Sequence, residues 1–160
     1  MFTKMDLRWG YKNVRIKEKD EWKAAFITLE GLFQPKFMLF GLTNLPATFQ
    51  AMMNELLKNL INTGKVVSFI NSIMVGTESE EGHDELVEEI LEMLEENDLY
   101  VKLEKYRWKV REVDFLEVVI GPERIKMKKE KVKAVLNWPV SKSVKDVQKF
   151  LGWLTVIGDL

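Results

Sequence analysis

Cysteine is absent from all 160 residues, and histidine occurs once, at His83. Without cysteine there is no disulfide framework, no thiolate zinc site and no cysteine nucleophile, and a single histidine excludes a histidine-rich metal centre. No stretch approaches 18 uninterrupted apolar residues, and no charged-then-apolar leader opens the chain. A membrane span and a secretory signal are therefore not expected, and the expected setting is intracellular, cytoplasmic or nuclear. No internal repeat and no low-complexity segment interrupts the sequence.

What is present is ordinary in bulk and uneven in detail. A content of 46% hydrophobic and 31% charged residues is that of a globular protein, and the length suits one domain or one domain plus a fragment. The formal net charge of −1 conceals segregation. Residues 78–98 hold eleven acids and no Lys or Arg, whereas residues 102–133 hold eleven bases against six acids. This can build a basic face on a neutral protein, or it can be two solvated surfaces of different sign.

Hydrophobic periodicity orders the elements. Phe2–Leu7 and Val14–Ile16 read as strands, and Ala24–Leu29 and Leu32–Phe40 flank Glu30-Gly31 as a hairpin. Asn44 stands at a helix N-cap with Pro46 in the first turn. Phe49, Met52, Met53, Leu56, Leu57, Leu60 and Ile61 follow at helical spacing to a Gly64 stop. Lys65–Ile70 and Ile73–Val75 read as strands joined across Asn71-Ser72. Thr77 and Glu80 form a candidate capping box for an acidic helix ending near Asn97. Tyr100–Leu103, Tyr106–Val110 and Val113–Ile120 read as strands, and 129–137 and 143–157 as helices. The expected class is α+β, an antiparallel sheet with helices packed on one face.

Four segments in this order resemble the reverse transcriptases of gypsy-type long-terminal-repeat retrotransposons. Phe2-Thr3-Lys4-Met5-Asp6-Leu7-Arg8-Trp9-Gly10-Tyr11 is similar to the first palm motif. The run from Phe40-Gly41-Leu42 to Thr48-Phe49-Gln50 is similar to the second, and is the most specific match. Ser68–Val75 falls in the slot of the Tyr-Leu-Asp-Asp hairpin, and Val113–Ile120 is similar to the strand near the primer grip. Trp138-Pro139 and Val147–Gly152 continue the likeness. The resemblance implies a polymerase palm over 1–122, and over 123–160 the incomplete start of a thumb or connection.

The same resemblance assigns roles. Polymerase palms hold two divalent ions about 3.5–4 Å apart, and in this family they do so with one carboxylate from the first motif and two from the hairpin. Magnesium, a hard cation, needs those carboxylate oxygens. Asp6 matches the first. Asn71 and Ser72 occupy the positions of the other two and carry no charge, while being favourable turn residues in their own right. Asp6 is thus a remnant metal ligand, or a strand-end aspartate exposed or paired with Arg8 or a lysine. Tyr11, Phe40, Gly41 and Gln50 match nucleotide-site positions, with sheet packing or solvent as the plain alternatives. Lys105 matches a lysine suspected of protonating pyrophosphate, and Leu39 replaces a usual proline. Phe69 replaces the hairpin tyrosine, and Glu117-Val118 replace Gly-His.

Departures cluster at functional positions while the apolar scaffold is kept. The expectation is a reverse-transcriptase-like palm that does not catalyse and holds no cofactor as it stands, although the family uses magnesium. A fragment or disabled form of an RNA-directed DNA polymerase, and a scaffold designed or evolved on a retroelement template, are the alternatives. Weak RNA or DNA binding is expected through the basic segment 124–133 (Arg124, Lys126, Lys128, Lys129, Lys131, Lys133), sequence-independent and salt-sensitive. The five tryptophans could stack on bases or pack in a core. Self-association through Leu151, Trp153, Leu154, Val156 and Ile157 is a further expectation.

Overall fold

A computed structural model describes the backbone of residues 1–158, with the side chains of Tyr11 and of 153–158 outside the description. The chain divides into two compact units, Met1–Val113 and Asp114–Leu160. The expected boundary at 122/123 follows the motifs, whereas this division groups the segment from Asp114 with the C-terminal helices.

The first unit is built around β1 (Phe2–Arg8). β4 (Val66–Phe69) pairs with β5 (Ser72–Gly76), β5 with β1, and β1 with both β6 (Tyr100–Val101) and β7 (Arg107–Val110), all antiparallel. Side chains alternate across a strand, so Thr3, Met5 and Leu7 share one face, and all three are buried. Against that face pack α1 (Leu45–Leu56), α2 (Lys58–Asn62) and α3 (Glu81–Glu96). Phe49, Met53, Leu57 and Leu60 from α1, α2 and the junction between them meet Leu86, Val87, Ile90 and Leu94 from α3 in one core. Burying each such side chain is worth about 1.5–3 kcal/mol, which is why a strand carrying an aspartate and two basic residues is still the centre of the sheet.

Two glycines are there for geometry. Gly64, at φ +74°, stops α2 by donating its N–H to the Ile61 carbonyl at 3.0 Å. Gly10 opens a 3-10 turn over Gly10–Asn13, and a Cβ there would meet Phe49 Cζ at 2.8 Å. The first motif therefore needs glycine so that the α1 ring can close under it.

β2 (Phe26–Thr28) and β3 (Gly31–Phe33) form a separate hairpin on which Phe26 and Phe33 stack at 6.0 Å, shorter than the run expected over 24–40. An Arg15–Phe37 bridge is the other pairing there.

In the second unit β8 (Val113–Phe115), β9 (Val118–Ile120) and β10 (Ile125–Met127) form a three-stranded sheet followed by α4 (Lys129–Leu136) and α5 (Val144–Gly158). The single strand expected over Val113–Ile120 is a hairpin. Leu116 and Glu117, at φ +46° and +72°, make its two-residue turn. Lys131 lies 3.6 Å from the Glu117 carboxylate. Ser143 Oγ accepts the Asp146 N–H at 3.2 Å, so the start expected for the last helix is realised.

Three other expectations are corrected. The helix expected over 45–63 is interrupted at Leu57, where φ −98° and ψ 13° leave the helical region. Thr77 does not cap α3, whose N-cap is Glu80 without a side-chain bond. Its hydroxyl instead donates to the Ser79 carbonyl at 3.0 Å and accepts from His83 Nδ1 at 2.8 Å. The β4–β5 turn is Ile70-Asn71, one residue earlier than expected, because Ser72 is drawn into the ladder opposite Asp6.

Candidate active site

Asp6 sits on the β1 face away from the helices, yet is only 7% exposed. Its register partner is Ser72, whose hydroxyl donates to Asp6 Oδ1 at 2.7 Å. The next backbone link, from the Leu7 N–H to the Asn71 carbonyl at 2.7 Å, ties the hairpin turn to β1. On the other side the Lys102 N–H donates to the Asp6 carbonyl at 2.8 Å. The hairpin that carries Asn71 and Ser72 is thus held directly against the Asp6 carboxylate.

Two ammonium groups accompany it. Lys105 Nζ stands 3.7 Å from Asp6 Oδ2, and Lys4 Nζ 3.9 Å from Oδ1. Lys4 lies two residues from Asp6 on the same strand, so strand periodicity puts both on one face. That signal was available in the sequence, and Lys4 was missed.

The turn itself is strained. Ile70 has φ +51°, a region that a β-branched residue rarely enters. Gln50 on α1 holds it there: Oε1 accepts the Ile70 N–H at 2.5 Å, and Nε2 donates to the Ser68 carbonyl at 3.0 Å and to Asn54 Oδ1 at 2.7 Å. Gln50 therefore acts on the hairpin and positions it.

The structure thus brings Asp6, Asn71, Ser72, Lys105 and, through the turn, Gln50 into one cluster. Phe40 and Gly41 belong to the loop ahead of α1, where Phe40 is 77% exposed and Gly41 takes φ +105° with open space around it. Tyr11 lies in the 3-10 turn after β1, and its side chain is outside the description. Asp6 is the paired strand aspartate of the sequence alternatives, with Lys4 and Lys105 as partners in place of Arg8, whose guanidinium lies over Trp9 at 5.8 Å.

The donor set decides what the cluster can hold. One carboxylate, one amide and one hydroxyl supply a single negative charge, one carboxylate oxygen already takes the serine proton, and two ammonium groups stand within 4 Å. Two hard divalent cations need more anionic oxygen than this, so the residues present do not fit the metal pair of a polymerase palm. Among the described residues no group of three or more His, Cys, Asp or Glu could hold a metal ion.

A second polar cluster lies away from Asp6 and was not anticipated. His83, fully buried on α3, accepts from Thr3 Oγ1 at 2.6 Å through Nε2 and donates to Thr77 through Nδ1. The roles follow from the surroundings. Thr3 Oγ1 already accepts the Lys109 N–H at 3.1 Å, so its own proton is directed at the ring. Burial, followed by the Met1 amino group, lowers the imidazole pKa. Lys109, at the end of this chain of bonds, also pairs with Asp84 at 2.7 Å and Glu80 at 3.0 Å. A lone histidine gives no such signal in the sequence.

Known proteins resemble this chain in sequence and in fold. The chain is 36% identical over 152 residues to the Retrovirus-related Pol polyprotein from transposon opus of Drosophila melanogaster, covering 94% of this chain and 15% of that protein. It is 30% identical over 152 residues to the Transposon Tf2-7 polyprotein of Schizosaccharomyces pombe, covering 95% and 11%. The chain thus spans a small fraction of the length of these relatives. Among solved structures, the foamy viral protease-reverse transcriptase in complex with RNA/DNA hybrid superposes with a TM-score of 0.79 at 25% identity, over 95% of this chain and 20% of that one. The same viral protein with double-stranded DNA, in a dRH form, gives 0.86 at 24% identity, over 97% and 27%. The profile of the family described as Reverse transcriptase (RNA-dependent DNA polymerase) matches residues 1–120. Since that span takes in the whole first unit, hairpin and aspartate included, the chain belongs to the reverse transcriptase family, in the branch carried by retrotransposon polyproteins.

Proposed function

We propose that this chain is a reverse-transcriptase palm that keeps the fold and a nucleic-acid-facing sheet but does not add nucleotides unaided. The observation that carries this reading is the Ser72 hydroxyl bonded into Asp6 where the family has a third carboxylate. Nucleotidyl transfer requires two cations to activate the primer hydroxyl and to hold the triphosphate. With the one carboxylate taking a hydroxyl proton and two ammonium groups standing within 4 Å of it, that pair of ions has no anionic seat. Nucleic-acid binding is supported separately by the complexes in which the foamy viral relative was solved.

Primer extension on an RNA template with Mg²⁺ and with Mn²⁺ tests the reading. No extension is expected from this chain, and a gain is expected from Asn71→Asp/Ser72→Asp, since the clasped hairpin is already in place. Template-dependent extension by the unmodified chain would overturn it.

A further inference from the structure

The sheet face around Asp6 carries more positive than negative charge at its centre. β1 sets Lys4 and Arg8 on the same face as Asp6, and Lys4 lies opposite Arg107 in the β7 ladder. Lys105, in the short turn between β6 and β7, reaches the carboxylate from the side. Glu104 is the one acid of that turn. With hairpin carboxylates at 71 and 72, the acids would outnumber the two lysines at the centre, and a phosphate could approach only behind a metal ion. With Asn71 and Ser72 in those positions, two ammonium groups face one carboxylate, and the centre is net positive.

Those ammonium groups are also available. At 3.7 and 3.9 Å neither lies within hydrogen-bond distance of Asp6, whose Oδ1 is taken by Ser72. Lys105 is 60% exposed, so its N–H donors reach solvent on the open side of the sheet. An ammonium is a compact charge suited to a phosphate oxygen and forms short, charge-assisted hydrogen bonds with it.

From this we propose that the Asp6 face binds a nucleic-acid phosphodiester directly through Lys4 and Lys105, with no divalent cation between protein and phosphate. Asp6 is then the acid that spaces the two lysines and keeps them from repelling each other across the face. This deepens the reading of the chain as a palm without its metal pair, and it rests on that reading.

Fluorescence anisotropy of a labelled primer–template duplex separates the two. The whole chain is expected to bind with the same affinity, within about two-fold, in EDTA and in millimolar Mg²⁺. Lys4→Gln and Lys105→Gln are each expected to weaken binding several-fold and to lower the slope of log affinity against log salt by about one unit. Lys105→Gln alters an exposed side chain and carries the test alone if Lys4→Gln fails to fold. Asn71→Asp/Ser72→Asp is expected to weaken binding in EDTA at least ten-fold and to recover with Mg²⁺. Lys129→Gln/Lys133→Gln, on α4, is the comparison, and is expected to leave the indifference to EDTA unchanged. Binding by the unmodified chain that needs Mg²⁺ overturns the proposal, as does an unchanged salt slope in both single variants or no binding at all. Primer extension by the unmodified chain overturns the catalytic reading instead, so the two failures are read on different instruments.

Discussion

Gln50 on α1 and Ile70 in the β4–β5 turn are locked together, the side-chain carbonyl of one accepting the backbone N–H of the other at 2.5 Å while Ile70 sits at φ +51°. A strained non-glycine residue costs roughly 1–3 kcal/mol and persists only where its surroundings over-determine it. Here the clasp runs from the core helix to both sides of the turn, since the same amide also donates to Ser68. This explains why a hairpin turning through the uncharged Asn71 meets β1 in register.

Gln50→Ala should therefore release the turn. It strips partners from the Ile70 N–H and the Ser68 carbonyl, and because both are only partly buried each costs less than the about 1–3 kcal/mol of a fully buried orphan. Urea unfolding should show a loss of about 1–3 kcal/mol, with amide exchange rising first at Ile70 and Asn71. Exchange rising equally across the β1–β5 ladder would mean that the clasp holds the whole sheet and not the turn.

Gly10→Ala probes the other close approach in the first motif. The added methyl would lie 2.8 Å from Phe49 Cζ, at the centre of the core, where neither neighbour can step aside cheaply. Overpacking of this kind costs about 1–3 kcal/mol. Combining it with Phe49→Leu should recover part of the loss in a double-mutant cycle, and strict additivity of the two changes would argue against the contact.

His83 makes stability depend on pH in a defined window. Its folded pKa is lowered from the ordinary 6.5, by burial first and by the Met1 amino group next, with Asp84 opposing and Lys109 adding to the fall. Between the two values the unfolded chain binds the proton and the folded chain does not. The contribution is therefore complete above about pH 6.5 and is lost as pH falls below it. Denaturation midpoints should decline from pH 7 to pH 5, before most carboxylates titrate, and His83→Gln should flatten that segment. A wild-type profile that is level over this range would contradict the assigned bonding.

The legible parts of this protein are those set by local periodicity. Phe49, Met53, Leu57 and Leu60 announce their core helix face by spacing alone, and all four are buried together. Asp6 was legible as a carboxylate in an apolar strand, and its chemistry only through the family likeness. The β4–β5 turn was misplaced by one residue because Asn-Ser is a better turn pair than Ile-Asn. Long-range register with β1 and the Gln50 clasp outweigh that local preference. Thr77 was read as a cap for a similar reason, since nothing near it in sequence says that a buried imidazole requires its hydroxyl. Leu116-Glu117 carries no glycine or asparagine to mark a turn, so an apolar run concealed a hairpin.

Placing acids at positions 71 and 72 should expose the charge balance at Asp6 without any assay of activity. In Asn71→Asp/Ser72→Asp the hydroxyl that Asp6 accepts at 2.7 Å is replaced by a second carboxylate, and a third precedes it in the turn. Loss of a hydrogen bond to a charged group costs about 1.5–3 kcal/mol, and like charges at this separation add to it. Lys4 and Lys105 offset only part, standing at 3.9 and 3.7 Å. The variant should therefore melt several degrees below the parent in EDTA. Magnesium, which binds the folded site and not the open chain, should raise its melting temperature as concentration exceeds the dissociation constant. The parent should show no such rise, because a single carboxylate beside two ammonium groups leaves the centre net positive. Equal stabilisation of parent and variant by Mg²⁺ would mean that the serine hydroxyl yields to the ion, and that the cluster is still a metal site.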